Sequence, residues 1–330
     1  MPRRDSSLTL GRVNQLRLGY LYGLGAYTLW GFFPAYFKLL RPSGPVEVLA
    51  HRILWSMLFM VILLTVIRRW SHIRQLVRRP AMLGGIAIAA ILIGINWGTY
   101  IYGVNSDKVV ETALGYFINP LVVIVLGVVL LSERLRPWQW AAVGMGSVAV
   151  VVLTVDYGRP PWIALVLAVT FAFYGLTKKR LGLPPTDGLL VESAVLALPA
   201  LATLGFLAMA GSVTVGEVSV AHTILIVSGG VITAVPLLLF AGAANRIPMV
   251  GLGMLQYVGP TIQLILGVYM FHEPMPPVRL LGFGLVWIAL IIFTWEGLVQ
   301  NRRNARDARA AADEAALARA AAAGGLPQQA

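Results

Sequence analysis

Apolar residues run along this chain in blocks of about 20, separated by short polar stretches, at positions 19–40, 46–67, 81–103, 109–131, 137–154, 161–178, 187–209, 222–244, 248–271 and 277–296. Each block is long enough to cross a hydrocarbon core of about 30 Å as a helix rising about 1.5 Å per residue. Blocks this continuous suit helices, whose backbone satisfies its own hydrogen bonds in lipid, and not the alternating strands of about ten residues that build a barrel. The pattern therefore predicts an all-α polytopic membrane protein with ten transmembrane helices.

Composition agrees. Of 330 residues 58% are apolar and only 12% charged, where a soluble chain carries about 25% charged residues. The chain has no cysteine, which removes disulfides, thiolate metal sites, iron–sulfur clusters and cysteine nucleophiles together. A net charge of +12 suggests nucleic acid until the basic residues are located. They sit in short segments between apolar blocks, so membrane lipid is the expected partner and nucleic acid is not. With the N-terminus inside, one set of loops holds 20 Lys and Arg. The opposite set holds five (Lys38, Arg41, Lys108, Arg159 and Arg279), and Arg52 lies within a block. This asymmetry places both termini in the cytoplasm, in a cytoplasmic (inner) membrane. The Arg-rich start imitates a signal peptide, but the block after it is too long and lacks a small-x-small cleavage site, so it is expected to stay as a helix.

Sliding the chain against itself by 140 residues exposes an internal repeat. Pro120 then meets Pro260, Leu126-Gly127-Val128 meets Leu266-Gly267-Val268, Glu133 meets Glu273, Pro137 meets Pro277, Phe33 meets Phe173, Lys38 meets Lys178 and Glu47 meets Asp187, all without a gap. Five spans per copy is an odd number, so the second copy enters the membrane upside down, the inverted-repeat construction of secondary transporters. The expected organisation is a basic cytoplasmic segment 1–18, a first five-helix repeat 19–154, a linker 155–160, a second repeat 161–296 and a cytoplasmic tail 297–330. The Ala-rich tail is expected to be helical to about Ala323, with Gly324-Gly325-Leu326-Pro327 ending it.

Several runs also resemble one family. Ala26-Tyr27-Thr28-Leu29-Trp30-Gly31-Phe32-Phe33-Pro34, Ala50-His51-Arg52-Ile53-Leu54-Trp55-Ser56, Leu114-Gly115-Tyr116-Phe117-Ile118-Asn119-Pro120, Thr233-Ala234-Val235-Pro236-Leu237 and Gln256-Tyr257-Val258-Gly259-Pro260-Thr261 resemble the RarD subgroup of EamA-type permeases in the drug/metabolite transporter superfamily. The resemblance covers roughly residues 17–298. It implies a ten-helix, five-plus-five permease with a central cavity, and a subgroup name linked to chloramphenicol sensitivity; it implies no particular natural substrate.

The polar residues within spans are the candidate site. In the fourth span Ala113, Tyr116, Pro120, Val123 and Gly127 share one face, and in the ninth Gly253, Gln256, Pro260, Gln263 and Gly267 do. Two readings stand: these faces line a solute cavity, with Pro120, Pro236 and Pro260 as kinks that free carbonyls, or they are packing surfaces of small residues. Two Gln side chains on one face favour the cavity. Trp30, Asn96, Trp97, Tyr100, Tyr116, Asn119 and Tyr257 complete the expected substrate-binding set, since aromatic rings with polar tips suit an amphipathic solute. Tyr36 and Tyr102 read better as an interfacial belt, and the GxxxG pairs Gly19/Gly23 and Gly94/Gly98 as helix packing.

Charges inside a span cost about 2.5 to 3.5 kcal/mol each at the helix centre. Depth matching pairs Arg52 with Glu111 near the outer face, and Glu192 with Arg246 or Lys178 near the inner face. These are expected either to be gates that break as two halves rock or to be static ties. Alternatively Arg52 holds a substrate carboxylate. His51 adjoins Arg52 and offers proton coupling, against a plain helix-end bond to Glu47. Glu133 and Glu273 read as helix-terminal structure.

An enzyme is not expected. His272-Glu273 begins like HExxH, but Pro276 stands at the second histidine position. The sequence has no GxSxG elbow and no phosphate-binding loop, and no metal or cofactor is called for. The reading is a carrier that moves a small organic solute, an amino acid or an aromatic metabolite, outward by alternating access coupled to an ion gradient. A channel or a non-transporting scaffold is the alternative.

Overall fold

The computed structural model describes residues 6–131, 135–247 and 249–324, and among them every regular element is helical. The chain runs through α1 (Ser6–Gly31), α2 (Phe33–Leu39), α3 (Pro45–Val66), α4 (Trp70–Val77), α5 (Pro80–Asn105), α6 (Val109–Leu131), α7 (Pro137–Tyr157) and α8 (Trp162–Leu181). It continues through α9 (Pro185–Met209), α10 (Val220–Ala244), α11 (Met249–Leu255), α12 (Val258–Ile265), a π-helical turn (Leu266–Met270) and α13 (Pro277–Gly324). Proline opens α3, α5, α7, α9 and α13, where its missing N–H and fixed φ cost nothing. Left-handed Gly158 and Gly182, at φ 64° and 61°, close α7 and α8, a conformation that favours glycine.

Seven helices, α3, α5, α6, α7, α9, α10 and the first half of α13, are long and apolar enough to cross a membrane. The other three expected spans fall on α1 with α2, on α8, and on α11 with α12. Two of these are interrupted rather than continuous. Proline cannot donate to the carbonyl four residues back and crowds it. So Pro34 ends α1 near Trp30, and Pro260 splits the ninth span near Gln256, where the chain turns at Gln256 and Tyr257. Pro120 and Pro236, by contrast, lie within unbroken helices. The segment 68–80, expected as a loop, contains α4, which buries Ile73 and Leu76. α13 runs from the last span through the tail as one helix to Gly324.

Helix starts recur at the 140-residue spacing. Pro45, Pro80, Val109 and Pro137 open α3, α5, α6 and α7, and Pro185, Val220, Met249 and Pro277 open α9, α10, α11 and α13. Packing follows the same exchange: α1 lies on α10 as α5 lies on α8, α1 on α12 as α6 on α8, and α3 on α10 as α5 on α9, while α3 packs on α9 and α7 on α13. Small residues set these approaches. A Cβ on Gly230 of α10 would collide with the Trp55 carbonyl of α3, one on Gly31 would lie 2.7 Å from Ile262, and one on Gly115 would lie 2.9 Å from the Ala164 carbonyl. Gly19, Gly23, Gly94 and Gly98 likewise face neighbouring chain, at Arg246, Leu255, Leu196 and Leu49.

The outside is apolar. Val155, Leu198, Phe206 and Ile291 are 66 to 76% exposed, which water does not favour and lipid does. Buried polar and charged groups, among them Arg52, Glu111, Asn96, Asn119, Glu192 and Gln263, are gathered inside.

Candidate functional site

The site forms where α2, α3, α5 and α10 converge. Gly230 lets the α10 backbone close on α3, and this brings Thr233 opposite Arg52. Arg52 Nε donates to Thr233 Oγ1 at 3.0 Å. Its guanidinium carbon lies 4.2 Å from the ring centre of Trp97 and 5.5 Å from those of Phe33 and Phe37. Arg52 is only 6% exposed. Tyr100 stacks edge-on against Phe37 and near Tyr116, at 6.0 and 5.8 Å, and its buried hydroxyl has no partner. Tyr36 donates to the Leu225 carbonyl at 2.7 Å. Tyr36, Phe37, Arg52, Gly229, Ile232 and Thr233 line a cavity of about 10 Å³, the room of a single water molecule. Tyr36, expected in an interfacial belt, belongs here instead, because α2 turns it inward after the Pro34 break.

Of the expected substrate set, Trp97, Tyr100 and Tyr116 are brought together around Arg52. Asn96 and Asn119 act as interhelical ties. Asn96 Nδ2 donates to the Leu167 carbonyl at 3.0 Å and to Thr170 Oγ1 at 2.9 Å, and Asn119 Nδ2 donates to the Ala168 carbonyl at 3.0 Å. Both fasten onto α8, and the hydroxyl of Tyr116 reaches Asn96 Oδ1 at 3.4 Å. Gln263 ties α12 to α1, Nε2 to the Trp30 carbonyl at 3.1 Å. Trp30 itself packs with Tyr27 and Phe240. Gln256 and Tyr257 sit half-buried at the break between α11 and α12, apart from the Arg52 cluster.

Of the two expected charge pairs one forms and one does not. Glu111 does not meet Arg52: it accepts from Arg159 at 2.7 and 3.3 Å and from the Ile163 N–H at 3.1 Å. Depth alone could not select this partner, because Arg159 arrives through the connection that brings α8 against α6. Glu192 pairs with Lys178 at 2.6 Å and accepts from Tyr174 at 3.0 Å. Arg246 is not its partner; it bonds Gln15 and the Gly242 carbonyl at 3.0 and 2.9 Å.

Nor does His51 bond Glu47. Its Nε2 is buried without a partner, while Glu47 accepts from the Thr214 N–H at 2.7 Å and from the Thr214 hydroxyl at 3.0 and 3.1 Å. Ser43 joins Thr214 and lies 3.0 Å from His222 Nε2. Glu273 caps α6, accepting the N–H groups of Val109 and Val110 at 2.6 and 2.8 Å. Its counterpart Glu133 lies outside the described residues. Thr233 and Phe33, which stand in the family-like runs, and Phe37 and Tyr174 carry no site signal of their own in the sequence; only the helix pairing brings them to these charges.

A helical bundle with an apolar exterior and a buried polar, aromatic centre is the architecture of a multi-pass membrane transporter, and known proteins agree. Residues 17–155 match the EamA-like transporter family. Protein RarD of Streptomyces exfoliatus is 52% identical over 91% of this chain and 95% of its own. The uncharacterized transporter YojE of Bacillus subtilis (strain 168) is 41% identical over 87% of this chain and 97% of its own. A solved structure superposes with a TM-score of 0.56 at 18% identity, over 84% of this chain and 97% of that one, a likeness of fold alone. The chain belongs to the RarD group of EamA-like transporters.

Proposed function

We propose that the protein is a secondary carrier moving a small organic solute across the cytoplasmic membrane by alternating access, with ten membrane-spanning helices in two inverted five-helix repeats and both termini in the cytoplasm. The observation that carries the reading is the recurrence, 140 residues apart, of both helix starts and helix-packing partners. A bundle of two like halves has two alternative packings of similar energy, the condition for rocking about a central site. The 20 to 5 division of basic residues supports the sidedness. The repeats are 19–154 and 161–296, with 155–160 between them and cytoplasmic segments 1–18 and 297–330.

Arg52, Trp97, Tyr100 and Tyr116 form the solute site. The interhelical ties at Asn96, Asn119 and Gln263 shape it, and Gln256, Tyr257 and Trp30 flank the broken ninth span. The kinks at Pro120, Pro236 and Pro260 give the helices around the cavity their points of bending. In the present conformation the cavity holds no more than one water, so the solute enters after α3 and α10 part. Glu47–Thr214 at one end and Glu192–Lys178 at the other are the contacts that open in turn. Glu111–Arg159 and the Arg246 contacts hold the helix ends. His51, half-buried next to Arg52 with its Nε2 buried and unpartnered, is the candidate for proton coupling.

Counterflow in proteoliposomes tests this reading, with labelled phenylalanine, tryptophan and chloramphenicol, with and without a pH gradient. Saturable exchange that Arg52→Ala abolishes is the expected result. Flux that neither saturates nor shows counterflow would identify a channel, and accumulation unaffected by the gradient would remove His51 from the mechanism.

A further inference from the structure

Arg52 is a buried cation that meets no carboxylate among the described residues, and the repeat shows why. In the second half, Glu192 on α9 is met by Lys178 at 2.6 Å and by Tyr174 at 3.0 Å. In the first half the position matching Lys178 is Lys38, but the position matching Glu192 is Arg52. Two cations cannot pair. Lys38 turns away and pairs with Asp107 in the connection between α5 and α6, which Arg41 also contacts at 3.0 Å. Arg52 is left with one hydroxyl, Thr233, and the faces of Trp97, Phe33 and Phe37. No carboxylate among the described residues lies within 4.0 Å of it.

A guanidinium has five N–H donors in a planar fork, and Thr233 takes one. Of the three hydroxyls near it, those of Tyr36, Tyr100 and Tyr116, Tyr36 donates to the Leu225 carbonyl and Tyr116 reaches Asn96 Oδ1, while that of Tyr100 is buried without a partner. The guanidinium edge and the Tyr100 hydroxyl thus present donors and one positive charge to an acceptor. One fixed cation matches a monoanion. A doubly charged phosphate would bring an unmatched charge into a low-dielectric interior, whereas a carboxylate fits the fork with two parallel bonds. The aromatic faces suit an apolar or aromatic body on the same molecule.

We infer that Arg52 is the fixed countercharge for a monocarboxylate solute with an apolar or aromatic body, whose carboxylate meets Arg52 as Lys178 meets Glu192 in the other half, with the charges exchanged. This deepens the carrier reading and rests on it for the solute's passage, though not for its binding.

The test uses the full chain in lipid nanodiscs, with calorimetric titration of 3-phenylpropionate, 3-phenyl-1-propanol, phenethylamine and inorganic phosphate. The acid binds saturably, and the alcohol, amine and phosphate bind at least about tenfold more weakly, as loss of a charge-assisted pair requires. Arg52→Gln weakens the acid by about tenfold or more and leaves the alcohol unchanged. Arg52→Lys, which keeps the charge without the fork, falls between. Thr233→Val, which leaves Arg52 in place but frees its Nε, serves where Arg52→Gln does not fold, and alters acid binding alone.

Equal affinity for acid and alcohol, acid affinity unmoved by Arg52→Gln, tighter phosphate binding, or no binding of the acid would each overturn the inference. Labelled 3-phenylpropionate counterflow separates the two levels. Binding without exchange would sink the carrier and leave Arg52's role standing. Saturable exchange of uncharged or cationic solutes, indifferent to Arg52→Gln, would do the reverse.

Discussion

Gln263 on α12 donates its side-chain amide to the main-chain carbonyl of Trp30 on α1, Nε2 to oxygen, at 3.1 Å. The carbonyl is free because Pro34, four residues on, has no N–H to give it. An unsatisfied carbonyl in a membrane interior is costly, so the break between α1 and α2 is supported from a distant helix. Replacing Gln263 by Met keeps the volume and removes the donor. The variant loses roughly 1 kcal/mol, the usual worth of an interhelical polar bond in a membrane protein. Its melting midpoint in detergent falls below that of the wild type; an unchanged midpoint would show that the carbonyl finds another donor.

Glu111 and Arg159 make an unequal pair: the carboxylate side chain is 2% exposed and the guanidinium 35%. Arg159→Gln leaves a buried carboxylate with only the Ile163 N–H, whereas Glu111→Gln leaves an arginine that water can reach. Removing the exposed partner is therefore the more damaging change, by about 1 to 3 kcal/mol, because the cost falls on the charge left buried. Thermal unfolding of the two single variants and the double variant checks the order. A larger loss in Glu111→Gln would contradict it.

Much of this was legible in the sequence, for a physical reason. Lipid demands long apolar runs, so the helices announce themselves, and the 140-residue match marks corresponding positions in the sequence itself. What stayed hidden depends on which helices touch. Depth could rank Arg52 or Lys178 as partners, but it could not show that the 158–161 connection carries Arg159 to Glu111, or that Glu47 turns to Thr214 instead of His51. The breaks needed more than hydropathy: Pro34 and Pro260 lie in runs as apolar as those around Pro120 and Pro236, where the helices continue unbroken. α4 was missed because only Ile73 and Leu76 mark its buried face within a run of arginines.

Asp107 gives a pH dependence with a defined sign. It lies outside the spanning helices, and the hydrogen bond from Lys38 holds its carboxyl below the usual range, with burial opposing it and the Arg41 hydrogen bond and the charges of both cations adding to it. A carboxyl whose folded pKa is depressed contributes stability above its unfolded value, near 4, and loses that contribution as pH falls through the folded value. The wild type is then more stable than Asp107→Asn by a constant margin at neutral pH, and the two converge only below about pH 4. The margin is at most about 1 kcal/mol for so exposed a pair. Melting midpoints of both proteins from pH 7 to 3 test this, and convergence already at pH 6 would assign the effect to another group.

Gly230 should tolerate almost nothing larger. A Cβ there meets the main-chain carbonyl of Trp55, and backbone cannot step aside as a side chain can. Gly230→Ala therefore pushes α10 from α3 and pulls Thr233 off Arg52. Gly144→Ala is the control, since nothing lies within 4 Å of a Cβ placed there. The first variant shows a lower melting midpoint and a lower yield of monodisperse protein, and the second matches the wild type. Equal behaviour would mean that α3 and α10 do not need their close approach.

Glu47 and Asp187 occupy matching positions in the two halves, yet their contacts are unequal. Glu47 is locked onto Thr214, while Asp187 Oδ2 lies 3.7 Å from His72 Nδ1, on a side chain 54% exposed. If the halves rock, loosening the tighter contact should populate the state open at that end. The chain has no cysteine, so a single one reports accessibility without background. Ile232, beside Arg52 in the cavity, is the place for it. In Ile232→Cys alone, a membrane-impermeant maleimide added to intact cells labels slowly. Adding Glu47→Gln, which weakens the carboxylate's bonds to the 214–215 backbone, raises the labelling rate from outside several-fold. Asp187→Asn raises it in inside-out vesicles instead. A rise on the same side for both variants would mean that the two contacts do not act at opposite faces, and the inverted arrangement would fall with them.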